Sequence, residues 1–198
     1  MNFDNSSLVK RIMYLVCMLS AKSEKYSVKV MNQLIERFYS IRAQARFDDK
    51  IKQVIQELTN SISQEKVFME FAGKLEAHHD LLFVSELVER LTFVIVASTS
   101  YSRLRAVLMG QTKTMEYAET KEELFFALFN TWSYNPVSTL TLCLLTKNYE
   151  LAYRLMPRFT QIEMDTSKLI ALGSLVHLIE SPVFVNLRLE LIRTDKRS

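Results

Sequence analysis

The stretch 124-LFFALFNTWSYNPVSTLTLCLLTKNYELAYRLMP-157 decides how this chain folds. It holds the only tryptophan, Trp132, and two of the three prolines, and Leu124 to Thr146 carries no charge. Asn135-Pro136 cuts the uncharged run in two. Asn satisfies the free N–H groups of a first helical turn, and Pro, with φ already fixed and no N–H to lose, suits the first helical position. The spacing therefore predicts one apolar helix ending near Trp132 and a second from Pro136 to about Thr146. Asn148 is placed to cap a third, through Tyr149, Leu151, Ala152 and Leu155. The run reaches the length of a membrane span. However, Asn130, Ser133, Asn135 and Pro136 fall in its middle, where broken backbone is costly in lipid. A buried, tight helical hairpin is the reading these residues support.

Working outward, apolar residues recur at helical spacing along the whole chain. Ser6-Ser7 opens a first helix with Leu8, Ile12, Leu15, Val16 and Leu19 on one face. Tyr26–Ala43 gives a second, with Val30, Leu34, Phe38 and Ile41 inward. A third starts at about Asp48, with Ile51, Val54, Ile55 and Leu58. Ser61 and Gln64 have the spacing of a capping box for a fourth, through Val67, Phe68, Phe71 and Leu75. Asp80 caps a fifth, carrying Val84, Leu87, Val88, Leu91, Val94 and Ile95. Its β-branched tail, LTFVIVAS, stays helical because the period upstream is unbroken. A short helix near Tyr101–Met109 ends at Gly110. Residues 110–120 form a polar linker, and Thr120 with Glu123 makes a second capping box. Thr160–Asp165 is another polar break. Thr166 then starts a helix through Leu169, Leu172, Val176 and Ile179, and Ser181-Pro182 starts the last, with Phe184, Leu187 and Leu191 inward.

Composition agrees. Hydrophobic residues make up 48% of 198, with three glycines and three prolines, too few turn-formers for a sandwich or barrel. The fold class is all-α: stacked antiparallel helical hairpins of about ten or eleven helices, a HEAT-like right-handed α-solenoid. Asn135-Pro136-Val137 and Ser181-Pro182-Val183 repeat the same cap, proline and valine 46 residues apart. That period suits paired-helix repeats, and two hairpins using the same cap chemistry independently account for it too. Residues 1–110 and 111–198 form N- and C-terminal sets of hairpins within one continuous domain.

The chemistry is sparse. His78 and His79 are adjacent and point about 100° apart on a helix, so they cannot jointly hold a metal. His177 lies between apolar neighbours. Gly73, Gly110 and Gly173 are isolated, which excludes a glycine-rich phosphate loop. Cys17 and Cys143 sit among apolar residues and read as reduced core thiols. Lys10-Arg11 before an apolar run faintly resembles a secretion signal, but no small-residue cleavage site follows and the helical pattern continues. The net charge of +3 is too small to argue for nucleic acid, although residues 1–60 hold ten Lys/Arg against six Asp/Glu. Trp132 and Tyr134 fit either an exposed partner patch or core packing. No catalytic constellation, metal set or cofactor motif emerges. The chain reads as a protein of helical faces, not an enzyme.

One resemblance extends this reading. Thr131-Trp132, Asn135-Pro136-Val137, Leu142-Cys143, Leu145-Thr146 and Asn148-Tyr149 resemble the C-terminal domain of the ArPIKfyve (vacuole-morphology) scaffold family. So do Leu175-Val176, Leu178-Ile179-Glu180, Pro182, Phe184 and Leu187-Arg188-Leu189. The likeness covers about residues 80–192. It implies a non-catalytic scaffold of helical repeats, without cofactor or metal. Such a scaffold brings together a PIKfyve-type phosphatidylinositol 3-phosphate 5-kinase and a Sac-type phosphoinositide phosphatase. It thereby controls phosphatidylinositol 3,5-bisphosphate on endosome and vacuole membranes. It also implies a cytoplasmic, peripherally membrane-associated and self-associating protein. By matching, Trp132, Asn135, Pro136, Leu142, Asn148, Tyr149, Pro182, Phe184 and Arg188 lie in or support the partner-binding element. The family's long N-terminal repeat region and its final helices have no counterpart in this sequence, which implies a fragment or a reduced version. A general trafficking adaptor, or a basic-surface binder of membrane or nucleic acid through residues 1–60, is the alternative.

Overall fold

Every regular element among the described residues is helical. A computed structural model describes residues 24–111, 115–160, 166–185 and 188–189. The elements are α1 (Glu24–Ile41), α2 (Phe47–Ser61), α3 (Gln64–Glu76) and α4 (Leu81–Ala97), then a 3-10 turn (Thr99–Tyr101) and α5 (Ser102–Leu108). They continue with α6 (Met115–Trp132), α7 (Pro136–Leu145), α8 (Tyr149–Thr160), α9 (Thr166–Glu180) and a second 3-10 turn (Pro182–Phe184). The all-α class follows directly. The expected first helix over Leu8–Leu19, Cys17, the signal-like run and the expected final-helix residues Leu187 and Leu191 lie outside the described residues. The chain groups into two compact units, Met1–Val84 and Ser85–Ser198, and the division falls inside α4.

In the first unit α3 packs against both α1 and α2. The inward stripe of α1 is Met31, Ile35, Phe38 and Ile41. Val30 and Leu34, expected inward, are only half-buried at its edge. Phe38 stacks on Phe71 and meets Phe47 edge-on, with ring centroids 6.3 and 6.2 Å apart. The Ser61–Gln64 capping box does not form, because Ser61 is the last residue of α2; Ser63 caps α3 instead, accepting from the Lys66 N–H at 3.4 Å. Asp80 caps α4 as expected: its Oδ1 accepts from Phe83 N–H at 3.0 Å. Arg42 donates to its Oδ2 at 2.8 Å while lying 4.3 Å over the Tyr39 ring. The Phe83 N–H first, and Arg42 second, hold the Asp80 carboxyl below its ordinary range.

In the second unit α7 is the central helix, packed against α6, α8 and α9. Val137 through Cys143 are buried without a break, and Leu145 as well. A helix enclosed on all sides has no polar face to offer, which is why this run carries no charge. Its hydroxyls turn inward on their own backbone: Thr139, Thr141 and Thr146 donate to the carbonyls of Asn135, Val137 and Leu142 at 2.7–2.9 Å. The expected Thr120–Glu123 capping box also fails. Helix α6 begins at Met115, because Met115-Glu116-Tyr117-Ala118-Glu119 contains no breaker to stop it upstream.

Two helix ends in this unit are closed alike. Arg105 Nη1 donates to the carbonyls of Ile95 and Ser98, each at 2.6 Å, at the end of α4. Arg188 Nη1 donates to those of Ile179 and, at 3.0 Å, Ser181, at the end of α9. In both corners a serine precedes a 3-10 turn, a buried aromatic (Tyr101, Phe184) closes the turn, and the arginine follows the serine by seven residues. Orphan carbonyls at a helix end need donors, and a guanidinium supplies several from one side chain. Burial pushes the Arg105 guanidinium below its usual value.

Candidate functional site

Six of the matched residues, Trp132, Asn135, Pro136, Leu142, Asn148 and Tyr149, lie on α6–α8 or the turns between them, whereas Pro182, Phe184 and Arg188 lie at the corner after α9, and the nine separate by burial. Trp132, at the end of α6, is 1% exposed. Its indole N–H donates to Thr92 Oγ1 at 2.8 Å, and that hydroxyl donates on to the Val88 carbonyl at 2.8 Å. Asn135 closes the turn in two directions. Its Oδ1 accepts from Ser138 N–H at 2.9 Å, capping α7, and its Nδ2 donates to Ser85 Oγ at 3.2 Å. Thr139 Oγ1 donates to the Trp132 carbonyl at 2.6 Å, stitching the first turn of α7 to the end of α6. Leu142 and Phe184 are buried. Of the two readings of Trp132, core packing is the one observed, while Tyr134 is 39% exposed.

The remaining matched residues face outward or line a cleft. Pro136 and Pro182 are exposed. Ser181-Pro182 opens only a 3-10 turn, and Ser181 makes no side-chain cap bond, so the echo of Asn135-Pro136 is one of sequence more than of geometry. Arg188 spends its guanidinium on the α9 carbonyls. Asn148 and Tyr149 form one wall of a 530 Å³ cleft. Phe125 and Leu151 are the phenyl and aliphatic members of its lining, and Lys147, Glu150 and Arg154 the charged ones. Arg154 pairs with Glu150 at 3.0 Å, an exposed pair contributing about 0.3–0.5 kcal/mol.

The turn between α7 and α8 sets this wall. Lys147 adopts φ 62°, the left-handed region. Asn148 N–H reaches the Cys143 carbonyl at 2.9 Å and Lys147 N–H the Leu144 carbonyl at 3.2 Å. This is the helix-ending motif in which glycine normally holds the left-handed position. Gly110 holds it at the end of α5, with φ 66°; its N–H donates to the Val107 carbonyl and the Gln111 N–H to the Ala106 carbonyl, each at 2.9 Å. After the turn, α8 lays Leu151, Ala152 and Leu155 on a core cluster of Val137, Leu140 and Cys143. Burial pushes the Cys143 thiol up to about 11, so it stays protonated and unreactive at neutral pH. The opposite face of α8 carries Tyr149, Tyr153 and Met156, all exposed, Tyr153 to 78%. Sequence reasoning picked out Tyr149 but missed Tyr153 and Met156. Their i, i+4, i+7 spacing was the signal available.

Fold and surface together define a class: an all-α module that offers side-chain faces. Among the described residues no group of His, Cys, Asp and Glu is placed to hold a metal, and no helix is long and apolar enough to cross a membrane. Comparison with known proteins sharpens this. Residues 44–198 match the family described as "Vacuolar protein 14 C-terminal Fig4p binding", and the chain belongs to that family. It is 36% identical over 143 residues to a Schizosaccharomyces pombe protein called "Protein VAC14 homolog", covering 72% of this chain and 17% of that one. It is 28% identical over 200 residues to the Saccharomyces cerevisiae "Vacuole morphology and inheritance protein 14", covering 98% and 21%. An Arabidopsis thaliana "Protein VAC14 homolog" is 30% identical over 143 residues, covering 72% and 19%. The chain thus spans about a fifth of the length of these relatives. No solved structure matches it.

Proposed function

We propose that this chain is a non-catalytic scaffold module that captures a Sac-type phosphoinositide phosphatase of the Fig4p kind. Through the same assembly it holds a PIKfyve-type phosphatidylinositol 3-phosphate 5-kinase, and so sets phosphatidylinositol 3,5-bisphosphate on endosome or vacuole membranes. The observation that carries this reading is the match of residues 44–198 to a family described by its binding of Fig4p. The vacuolar names of the relatives support the location, with association to the membrane peripheral and made through the complex. Holding opposed enzymes on one body works by effective concentration: the second partner, once tethered, meets the first as an intramolecular neighbour.

Within this reading the matched residues play two parts. Trp132, Asn135, Leu142, Phe184 and Arg188 keep the binding element in shape, and Pro136, Asn148, Tyr149 and Pro182 are its reachable members. The test is direct binding of the purified chain to a purified Fig4p-type phosphatase, followed by addition of the kinase. A stable binary complex that then recruits the kinase is expected. A folded, helical chain that binds neither enzyme overturns the reading.

A further inference from the structure

We propose that the corner between α3 and α4 is an acid-sensitive latch, held shut by a neutral imidazole at His78. Three pieces of chain meet there: Tyr39 in the last turn of α1 with Arg42 just after it, the link His78–Asp80, and Phe83 in the first turn of α4. The Asp80 backbone N–H donates to His78 Nδ1 at 3.1 Å, while the Asp80 carboxylate accepts from the Phe83 N–H and from Arg42. His78 and His79 lie in the link, not on a helix, so their rings stack, with centroids 4.5 Å apart. The His78 ring also meets Phe83 at 5.0 Å and Tyr39 at 5.3 Å. An imidazole nitrogen accepts a hydrogen bond only while it carries no proton. Nδ1 is therefore the bare nitrogen and Nε2 the protonated one. Nε2 is buried and has no hydrogen-bond partner among the described residues.

A second proton on this ring works against the fold. Placed on Nδ1 it sets two donors against each other, and the Asp80 N–H loses its acceptor. The charge it brings finds no free anion. The groups facing the ring are Tyr39 and Arg42 from α1 and its end, and His79 and Asp80 from the link. The one carboxylate among them is already shared between the Phe83 N–H and Arg42, and the Tyr39 ring already lies under the Arg42 guanidinium, 4.3 Å away. A His79 charged at the same time would add a like charge ring over ring, which disfavours both. The folded chain therefore binds fewer protons here than the unfolded chain, and stability falls as pH falls. Histidine is the side chain that changes charge between about pH 5 and 8. Asp80 responds in a separate range. Its carboxyl lies below the ordinary value, held there by the Phe83 N–H first and Arg42 second, so its contribution is lost only below about pH 4.

The test is thermal unfolding of the whole chain at about pH 7.5 and about pH 5.5, on either side of the histidine range and above that of Asp80. It compares the wild type with His78→Asn and His79→Asn. Asn places an oxygen where Nδ1 stands and does not titrate. The wild-type midpoint is expected to fall by about 5 °C at the acid pH. His78→Asn should lose most of that fall, and His79→Asn a smaller part. The ring nitrogen resonances of His78 in nitrogen-15-labelled wild type report the proton's position directly, so the test stands even where a variant fails to fold. They should show the Nε2–H form at the higher pH. A wild-type midpoint that does not fall, a fall kept in full by folded His78→Asn, or an Nδ1–H ring at the higher pH each overturns the latch.

Discussion

The hinge between α6 and α7 and the outer face of α8 lie within one short stretch of sequence and obey opposite rules. At the hinge the polar groups of the matched residues are spent inside the protein: the Trp132 indole on Thr92, the Asn135 amide on Ser85 and Ser138, and the Thr139 hydroxyl on the Trp132 carbonyl. On α8 large apolar side chains are left to solvent. Matching by motif merges the two, because a residue that holds a turn and a residue that touches a partner are marked in the same way. Burial separates them. Substitutions of the buried hinge residues are expected to act on stability, and substitutions of the exposed residues of α8 are expected to leave it unchanged.

The largest effect is expected for Trp132→Ala. Removing a buried indole costs about 3–5 kcal/mol and leaves the Thr92 hydroxyl without its donor. Thermal unfolding should drop sharply, and capture of the phosphatase should fall in proportion to the unfolded fraction. Undiminished stability with lost binding would move Trp132 from the hinge to the face. Asn135→Ala should cost about 1–2 kcal/mol through the lost cap of α7, read as a lower midpoint in urea. Lys147→Gly sits where the two regions meet. Glycine relieves the left-handed backbone and raises stability by up to about 1 kcal/mol. A lowered unfolding temperature would show that the Lys147 side chain itself helps to hold the turn. Tyr153→Ala should be the smallest in stability, within about 0.5 kcal/mol, as circular dichroism melts will show.

Much of the hinge was legible. Asn135-Pro136 marks a helix start by chemistry that acts locally, and the uncharged run announces an enclosed helix. Asp80 and Gly110 were readable for the same reason, since each acts within a turn of its own position. What escaped depended on distance. The Ser61–Gln64 and Thr120–Glu123 boxes are built of common residue types, and nothing in four residues says whether the preceding helix has ended. The stripe of α1 runs through Met31 and Ile35 because packing against α3, not periodicity alone, chooses among neighbouring apolar positions. Arg188 matched a family motif, but its carbonyl partners lie seven and nine residues back around a corner, a separation with no periodic trace. The cleft was half legible. Asn148 and Tyr149 were singled out, whereas Phe125, on a different helix, joins them only in three dimensions.

The two arginine corners carry a last consequence. Serine, 3-10 turn, aromatic and arginine recur 83 residues apart, and each corner is self-contained, drawing its donors and acceptors from within about ten residues. Such a corner is a joint that travels with its own fastening. The stretch from one to the other, running from α5 through α9, therefore begins and ends at corners closed by short-range bonds.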